Sequence, residues 1–419
     1  MQEDVETSRW NIQSSPLRAG MRILLITAMI VFVVTVIIGL INGQRVFKLS
    51  HDVLLTHVHA GTLGWITLSV FAVGLWFFGE GLSSTLRDRY LRWLSIISAI
   101  AVPLYVLAFL SGNYLARAIF GVPVLLVILG FFVWIAGRVN KVRLSLARLA
   151  VLCALFTLIL GALVGVLLQF QYASATTLLP AGAFGAHPAS LVAGYLILIG
   201  IALCEHGLMP STERLPRLGL AMILCFLISG LALGIGLLFN AQPLLGLALL
   251  LDIAGGILFL IRIIPRVLRL SWLGRGGNRF LAISAIFIVA EVVLTTIVTI
   301  LEITTNGHAP DNLIIALDHT TFVGVMTNAI FGLIIEATVE RRDFWPWAED
   351  VAFWGMNLGA AGFIISLITD ARFLEPIFTP IMGLAILLAL ITFSIRMLRP
   401  PVAAIEVRAG GVGPVEPAN

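Results

Sequence analysis

Charge is what this chain has least of. Of 419 residues only 11% are Asp, Glu, Lys or Arg, against 59% hydrophobic, and the mean hydropathy is +1.05. Such a chain cannot hide its apolar surface in a water-soluble core, and its net charge of +4 does not describe a nucleic-acid-binding surface. Cysteine is nearly missing too. Cys153, Cys204 and Cys225 fall within or beside apolar runs with no CxxC spacing, which argues against a disulfide framework or a zinc site. No CxxCH motif is present for covalent haem attachment. GxxxxGK[ST], GxGxxG and nucleophile-elbow patterns are absent from suitable contexts, so nucleotide-driven transport and serine hydrolysis have no support. No short apolar region with a cleavage site precedes the first long run, so no removed signal peptide is expected.

Long apolar runs, by contrast, recur along the whole chain. A hydrocarbon core of about 30 Å needs roughly 20 apolar residues per helix. Runs of that kind lie near 22–44, 53–78, 91–111, 115–137, 147–168, 186–204, 218–240, 243–261, 280–301, 313–336, 351–369 and 376–397. The expected fold is all-α: a polytopic membrane protein of twelve transmembrane helices embedded in a lipid bilayer. A leader over 1–21 precedes the helical domain of 22–398, and a disordered tail over 399–419 follows it. Among 26 Lys and Arg residues, all but Arg45, Lys48, Arg117 and Arg372 fall in the N-terminal segment, the even-to-odd connections or the C-terminal segment. The positive-inside rule then expects both termini in the cytoplasm of a bacterial cell, with the protein in its cytoplasmic membrane.

Against this background seven histidines stand out. In Thr56-His57-Val58-His59-Ala60-Gly61-Thr62-Leu63-Gly64-Trp65 two imidazoles enter an apolar run. Residues two apart on a helix differ by about 200° and about 3 Å, so His57 and His59 point to opposite sides and one helix can serve two sites. His187 and His319 enter later runs at comparable places, 128 and 132 residues on in turn (187 − 59 and 319 − 187). That spacing suggests three pseudo-repeats of four helices, with His59, His187 and His319 equivalent and Glu80, Glu205 and Glu336 near the far ends. All three histidines then lie in the outer half of the membrane. Intramembrane imidazole is costly without a partner and points to metal, haem or protons. His51 and His308 are secondary candidates, and His206 reads as a packed or headgroup-level residue. Thr56, Thr62, Ser190, Asp318, Thr320 and Thr321 are near enough in sequence to fix imidazole tautomers, with Asp318 foremost. Glu291 and Tyr195 are polar groups for a proton route. The uncharged connection 169–184 reads as a lid or re-entrant turn, and Phe344-Trp345-Pro346-Trp347 as an interfacial anchor.

These motifs carry a family resemblance. His57-Val58-His59-Ala60-Gly61-Thr62-Leu63-Gly64-Trp65 resembles the HVHSGALGWV stretch of the catalytic subunit of C-type haem-copper oxidases, whose paired histidines ligate two haems from opposite sides. Phe184-Gly185-Ala186-His187-Pro188 resembles the start of the sixth oxidase helix, where the histidine binds copper, and Asp318-His319-Thr320-Thr321-Phe322-Val323-Gly324 is similar to a pattern of the twelve-span, nitric-oxide-linked NnrS family. The chain departs from the oxidases in carrying the HxH pair on span two rather than ten and in lacking the His-His pair of helix seven. It also has Leu191 at the position of the redox tyrosine, with Tyr195 a further turn on.

The resemblance implies one or two haems b near the outer face, copper in addition, and electron transfer or handling of nitric oxide or oxygen, with a quinol or a cytochrome c-type protein as donor. It implies no nucleic-acid partner. His59 and His319 are the expected axial pair of one haem, with His57 and His187 left for a second haem or copper. A secondary transporter, or a haem-bearing sensor or assembly factor, is the alternative.

Overall fold

The computed structural model describes residues 17–80, 85–210, 215–305, 309–338, 341 and 345–399. Among these residues there are helices and no strands. Twelve helices are long and apolar enough to cross a membrane: α1 (Arg18–Gly43), α2 (His51–Phe78), α3 (Arg89–Leu110), α4 (Tyr114–Ala136), α5 (Leu146–Ser174), α6 (Ala183–Leu208), α7 (Arg217–Leu238), α8 (Gln242–Val267), α9 (Gly277–Thr304), α10 (Asp311–Ala337), α11 (Pro346–Ile368) and α12 (Arg372–Leu398). Each matches one apolar run, as it should where lipid offers the backbone no hydrogen bonds and every amide must be satisfied within its own helix. His308 and most of the leader and tail lie outside the described residues.

The helices form a closed ring around an inner triad. In α2, α6 and α10 the central windows are 83%, 78% and 83% buried, against 33–61% for the other nine. The order of packing repeats every four helices. The third and fourth helices of each group pair (α3 with α4, α7 with α8, α11 with α12), and the groups join through α4 with α5, α8 with α9 and α12 with α1. We call the end where α1 stops and α2 starts the distal end.

Each triad helix opens into a wide π-helical stretch in mid-course: Ala60–Thr67 in α2, Leu191–Leu196 in α6 and Thr320–Thr327 in α10. At the heart of each stretch sits a glycine. Gly64, Gly194 and Gly324 lie 130 residues apart in turn (194 − 64 and 324 − 194). Each packs against the first helix of its own group: a Cβ added at Gly64 would come 2.2 Å from Val31, one at Gly194 3.2 Å from Thr157, and one at Gly324 2.4 Å from Phe287. Small residues are what allow such close approach. The repeat is therefore real, but its register is 130 and not the 128 and 132 read from the histidines. In that register His57 corresponds to His187, and His59 to Ala189 and His319.

Hydroxyls complete the π turns. Thr67 Oγ1 donates to the Thr62 carbonyl at 2.9 Å and Thr327 Oγ1 to the Phe322 carbonyl at 2.8 Å, both five residues back. These same hydroxyls accept from neighbouring triad helices: Trp65 Nε1 reaches Thr327 at 3.1 Å, and the Tyr195 hydroxyl reaches Thr67 at 3.2 Å. Trp65 and Tyr195 are equivalent in the 130 register, and so are Thr67 and Thr327, so one contact is made twice. At the third junction the equivalent residues are Val325 and Ile197, both buried and apolar. The connection expected as a lid is half helix, since α5 runs to Ser174 and α6 starts at Ala183. Gln171 Oε1 then caps the turn by accepting the Leu178 and Leu179 amides at 2.9 and 2.8 Å.

Candidate cofactor sites

The four intramembrane histidines share one hydrogen-bonding arrangement. The Nδ1 atoms lie 2.8 Å from the Thr35 carbonyl for His57, 2.8 Å from Leu55 for His59, 2.8 Å from Gly161 for His187 and 2.9 Å from Ile315 for His319. A carbonyl can only accept, so each Nδ1 carries the proton and each Nε2 keeps its lone pair. This is the state in which imidazole binds a metal, the second nitrogen being oriented by a carbonyl or carboxylate.

The anchors come in two kinds. His59 and His319 donate to carbonyls four residues back on their own helices. His57 and His187 donate to the first helix of their group, with a glycine one turn beyond the accepting carbonyl. Gly39 follows Thr35 and Gly165 follows Gly161 by four residues, and an added Cβ would come 3.0 Å from His57 Cε1 at Gly39 and 2.5 Å from His187 Cε1 at Gly165. The bare backbone makes the slot into which each ring fits.

Two cavities open from these rings. The first, of about 790 Å³, lies among α1, α2, α10, α11 and α12 and is lined by both His57 and His319. Their ring centres are 6.4 Å apart at 25° between planes, and Phe363 packs 4.7 Å from His319. The second, of about 440 Å³, lies among α2 to α6 and is lined by His59 and His187. Phe109 stacks on His59 at 3.6 Å between centres, with Tyr105 edge-on at 6.0 Å.

Each cavity thus holds one imidazole of each anchoring kind. The pairing expected from the sequence, His59 with His319 and His57 with His187, is not the one the fold makes. His59 and His319 are equivalent positions on different helices and face different cavities, because the 130 register rotates one site onto the other. The opposite facing of His57 and His59 stands, since one lines each cavity.

The remaining candidates fall as follows. Asp318 lines the first cavity but does not hold His319, whose Nδ1 proton goes to Ile315. The hydroxyls of Thr56, Thr62, Ser190, Thr320 and Thr321 likewise go to backbone carbonyls and leave the imidazoles alone, as hydroxyls on a helix commonly do. Tyr195 lines the second cavity while bonding Thr67, and His51 stands exposed at that cavity's rim. His206 packs beside Trp76 and Phe77, 5.6 and 4.6 Å between ring centres. Glu291 is deep in the opposite side of the bundle, beside Asp252.

Four cations complete the geometry. Arg45, Lys48 and Arg372 line the first cavity and Arg117 the second. These are the same four that break the charge asymmetry of the sequence. Arg117 is fully buried, binds Asp52 and the Phe109 carbonyl, and lies over the Phe109 ring at 4.8 Å. Arg45 pairs with Glu375 at 3.0 Å. The anchors Thr35 and Gly161 escaped sequence reasoning, although Gly161-x-x-x-Gly165 was visible as a small-residue pair. Among the described residues no three His, Cys, Asp or Glu side chains converge as a metal site. No protein-family model matches the chain, and no curated protein matches it in sequence.

Proposed function

We propose that this protein is a membrane electron carrier that holds two haems b, one in each histidine cavity, near the outer face of a bacterial cytoplasmic membrane. The observation that carries the reading is the pair of imidazoles across each cavity, with every Nδ1 proton tied to a carbonyl. Two imidazoles at about 2.0 Å on either side of one metal ion have ring centres about 6.3 Å apart, and His57 and His319 are 6.4 Å apart. Two donors do not make a three-histidine copper centre, but they complete iron that already has four porphyrin nitrogens. The donor set fits haem and gives copper no site of its own among the described residues.

A haem held by two imidazoles would supply one-electron transfer and would leave no position for a gas, which favours electron transfer over binding of nitric oxide or oxygen. The chain's own part is to hold and orient. The carbonyls of Thr35, Leu55, Gly161 and Ile315 fix the rings, and Phe109 and Phe363 pack beside them. Arg45, Lys48, Arg372 and Arg117, which line the cavities, would meet the acidic edge of a flat ligand, at an end where cations otherwise contradict the charge bias. A quinol or a separate cytochrome c-type protein is the donor class.

The test is an absorption spectrum of protein purified from haem-replete cells, oxidised and then dithionite-reduced, with iron and haem counted per chain. Two haems b per chain, low-spin in both states, are expected. A colourless preparation free of iron overturns the reading and favours a transporter.

A further inference from the structure

The third sector of the ring, among α6 to α10, departs from the other two. Where the 130 register would place histidines it has Ala189 and Leu317, and its junction is Val325 against Ile197. A Cβ at Gly230 of α7 would come 2.5 Å from the Gly194 backbone, so α7 lies directly on α6. Within this apolar packing are two acids, Asp252 at 3% exposure and Glu291 at 1%. Asp252 lies ten residues from the distal start of α8, about 15 Å along the helix, and Glu291 stands midway along α9.

The two helices pack closely beside these acids. Gly256, one turn beyond Asp252, has no Cβ, and one added there would come 2.7 Å from Val292, the neighbour of Glu291. The two carboxyl groups lie within electrostatic reach of each other. Glu291 Oε1 accepts from the Thr295 hydroxyl at 3.0 Å, while Glu291 Oε2 and Asp252 Oδ2 are buried and have no hydrogen-bond partner.

Nearby charged groups are engaged elsewhere. Arg262 of α8 is bound to Glu205 of α6, and Arg279 of α9 to Glu349 and Asp350. Glu302, near the distal end of α9, accepts the Ala309 amide, and Glu336 of α10 the Gly277 amide. His187 is tied to Gly161, while Asp318 and His319 face the first cavity. On α7 the groups are Arg217, at its first residue, and the half-buried Cys225.

We propose that Asp252 and Glu291 share a single proton, making the third sector a proton-binding site at the middle of the membrane. Two carboxylates within electrostatic reach of each other in low dielectric cannot both ionise without a counter-charge, and two neutral acids would forgo the stronger charge-assisted bond. One proton between them lets a carboxylic O–H donate to a carboxylate oxygen and occupies both vacant atoms, leaving the pair with one negative charge. A hard cation such as sodium or calcium is a poorer fit, because such ions take about six or more oxygens and here the side chains offer two carboxyls and Thr295. On the same face of α9, one turn apart toward the distal end, the buried hydroxyls of Thr295 and Thr299 make a polar file leading to Glu291.

The proposal does not depend on haem, and its test reads no haem signal. Infrared spectra of the full chain in lipid nanodiscs at neutral pH, with hydrogen–deuterium exchange, report protonated carboxyl C=O groups. The native protein is expected to show the intensity of one such group more than the double variant D252N/E291Q. Each single variant keeps that intensity at a moved frequency, because the remaining acid then faces an amide. Equal spectra of native protein and double variant mean both acids are ionised and overturn the proposal. A difference of two groups means both are neutral, and also overturns it. Loss of the native intensity on replacing choline by sodium assigns the site to a cation, with the same result. If the double variant cannot be recovered, unchanged spectra in both single variants overturn it.

Discussion

A backbone carbonyl is an unusual choice of anchor for a buried imidazole only if side chains are expected to do the work. In a membrane helix the carbonyl four residues back is already in place, and a glycine one turn further along gives the ring room, so neither device requires a second polar side chain in lipid. That is why the nearby threonines were misleading, since their hydroxyls go to backbone carbonyls, and Asp318 is not the partner of His319 Nδ1. The pairing of rings predicts the effect of single substitutions. His57→Ala and His319→Ala should each reduce haem content from about two to about one per chain and remove the same spectral component, while His59→Ala and His187→Ala remove the other. Loss of one shared component in His59→Ala and His319→Ala would instead restore the pairing expected from the sequence. The glycine slot gives a second test. Gly165→Ala places a methyl 2.5 Å from His187 Cε1, so the ring must leave the Gly161 carbonyl. The expected outcome is loss of the second-cavity haem with the first intact, measured by haem per chain and by electron paramagnetic resonance of the remaining low-spin centre.

At the scale of the helix, hydropathy made all twelve spans legible, because twenty apolar residues in lipid have hardly any alternative to helix. The π stretches were not legible, since they depend on what the neighbouring helix brings to the wide turn. Their register was nevertheless written in Gly64, Gly194 and Gly324. The histidines misled because only two of the four equivalent positions outside α2 carry one: with His57 and His59 both present in α2, aligning His59 to His187 shifted the frame by two residues. One of these contacts, made directly on backbone, is testable by substitution. Gly230→Ala drives a Cβ toward the Gly194 backbone at 2.5 Å, whereas at Gly246 an added Cβ meets nothing within 4 Å. Forced apart, α7 and α6 should lose about 1–3 kcal/mol of stability, the usual cost of overpacking. Thermal unfolding in detergent should show a lowered midpoint for Gly230→Ala and none for Gly246→Ala. Equal midpoints would mean that α7 does not rest on the π stretch.

For the molecule as a whole, the repeat makes three equivalent sectors and the sequence uses them unequally: two take histidine pairs and cationic mouths, and the third closes on two acids. Both histidine cavities are consequently placed toward one end, and which side of the membrane that end faces decides what partner can reach them. Among the described residues the Lys and Arg at the distal end are Arg45, Lys48, Arg117 and Arg372, and those four line the cavities. The proximal end carries the other described ones, including Arg262, Arg266, Arg269, Arg275 and Arg279 around the α8–α9 connection. The positive-inside rule then predicts that the distal end faces outward. Cysteine accessibility checks this directly. Thr177 is exposed in the distal connection between α5 and α6, and Ser271 in the proximal connection between α8 and α9. In a background with Cys153, Cys204 and Cys225 replaced by alanine, Thr177→Cys should react with a membrane-impermeant maleimide on intact spheroplasts, and Ser271→Cys only after the membrane is opened. The reverse pattern would turn the cavities toward the cytoplasm, and an extracytoplasmic cytochrome would then be excluded as the electron donor.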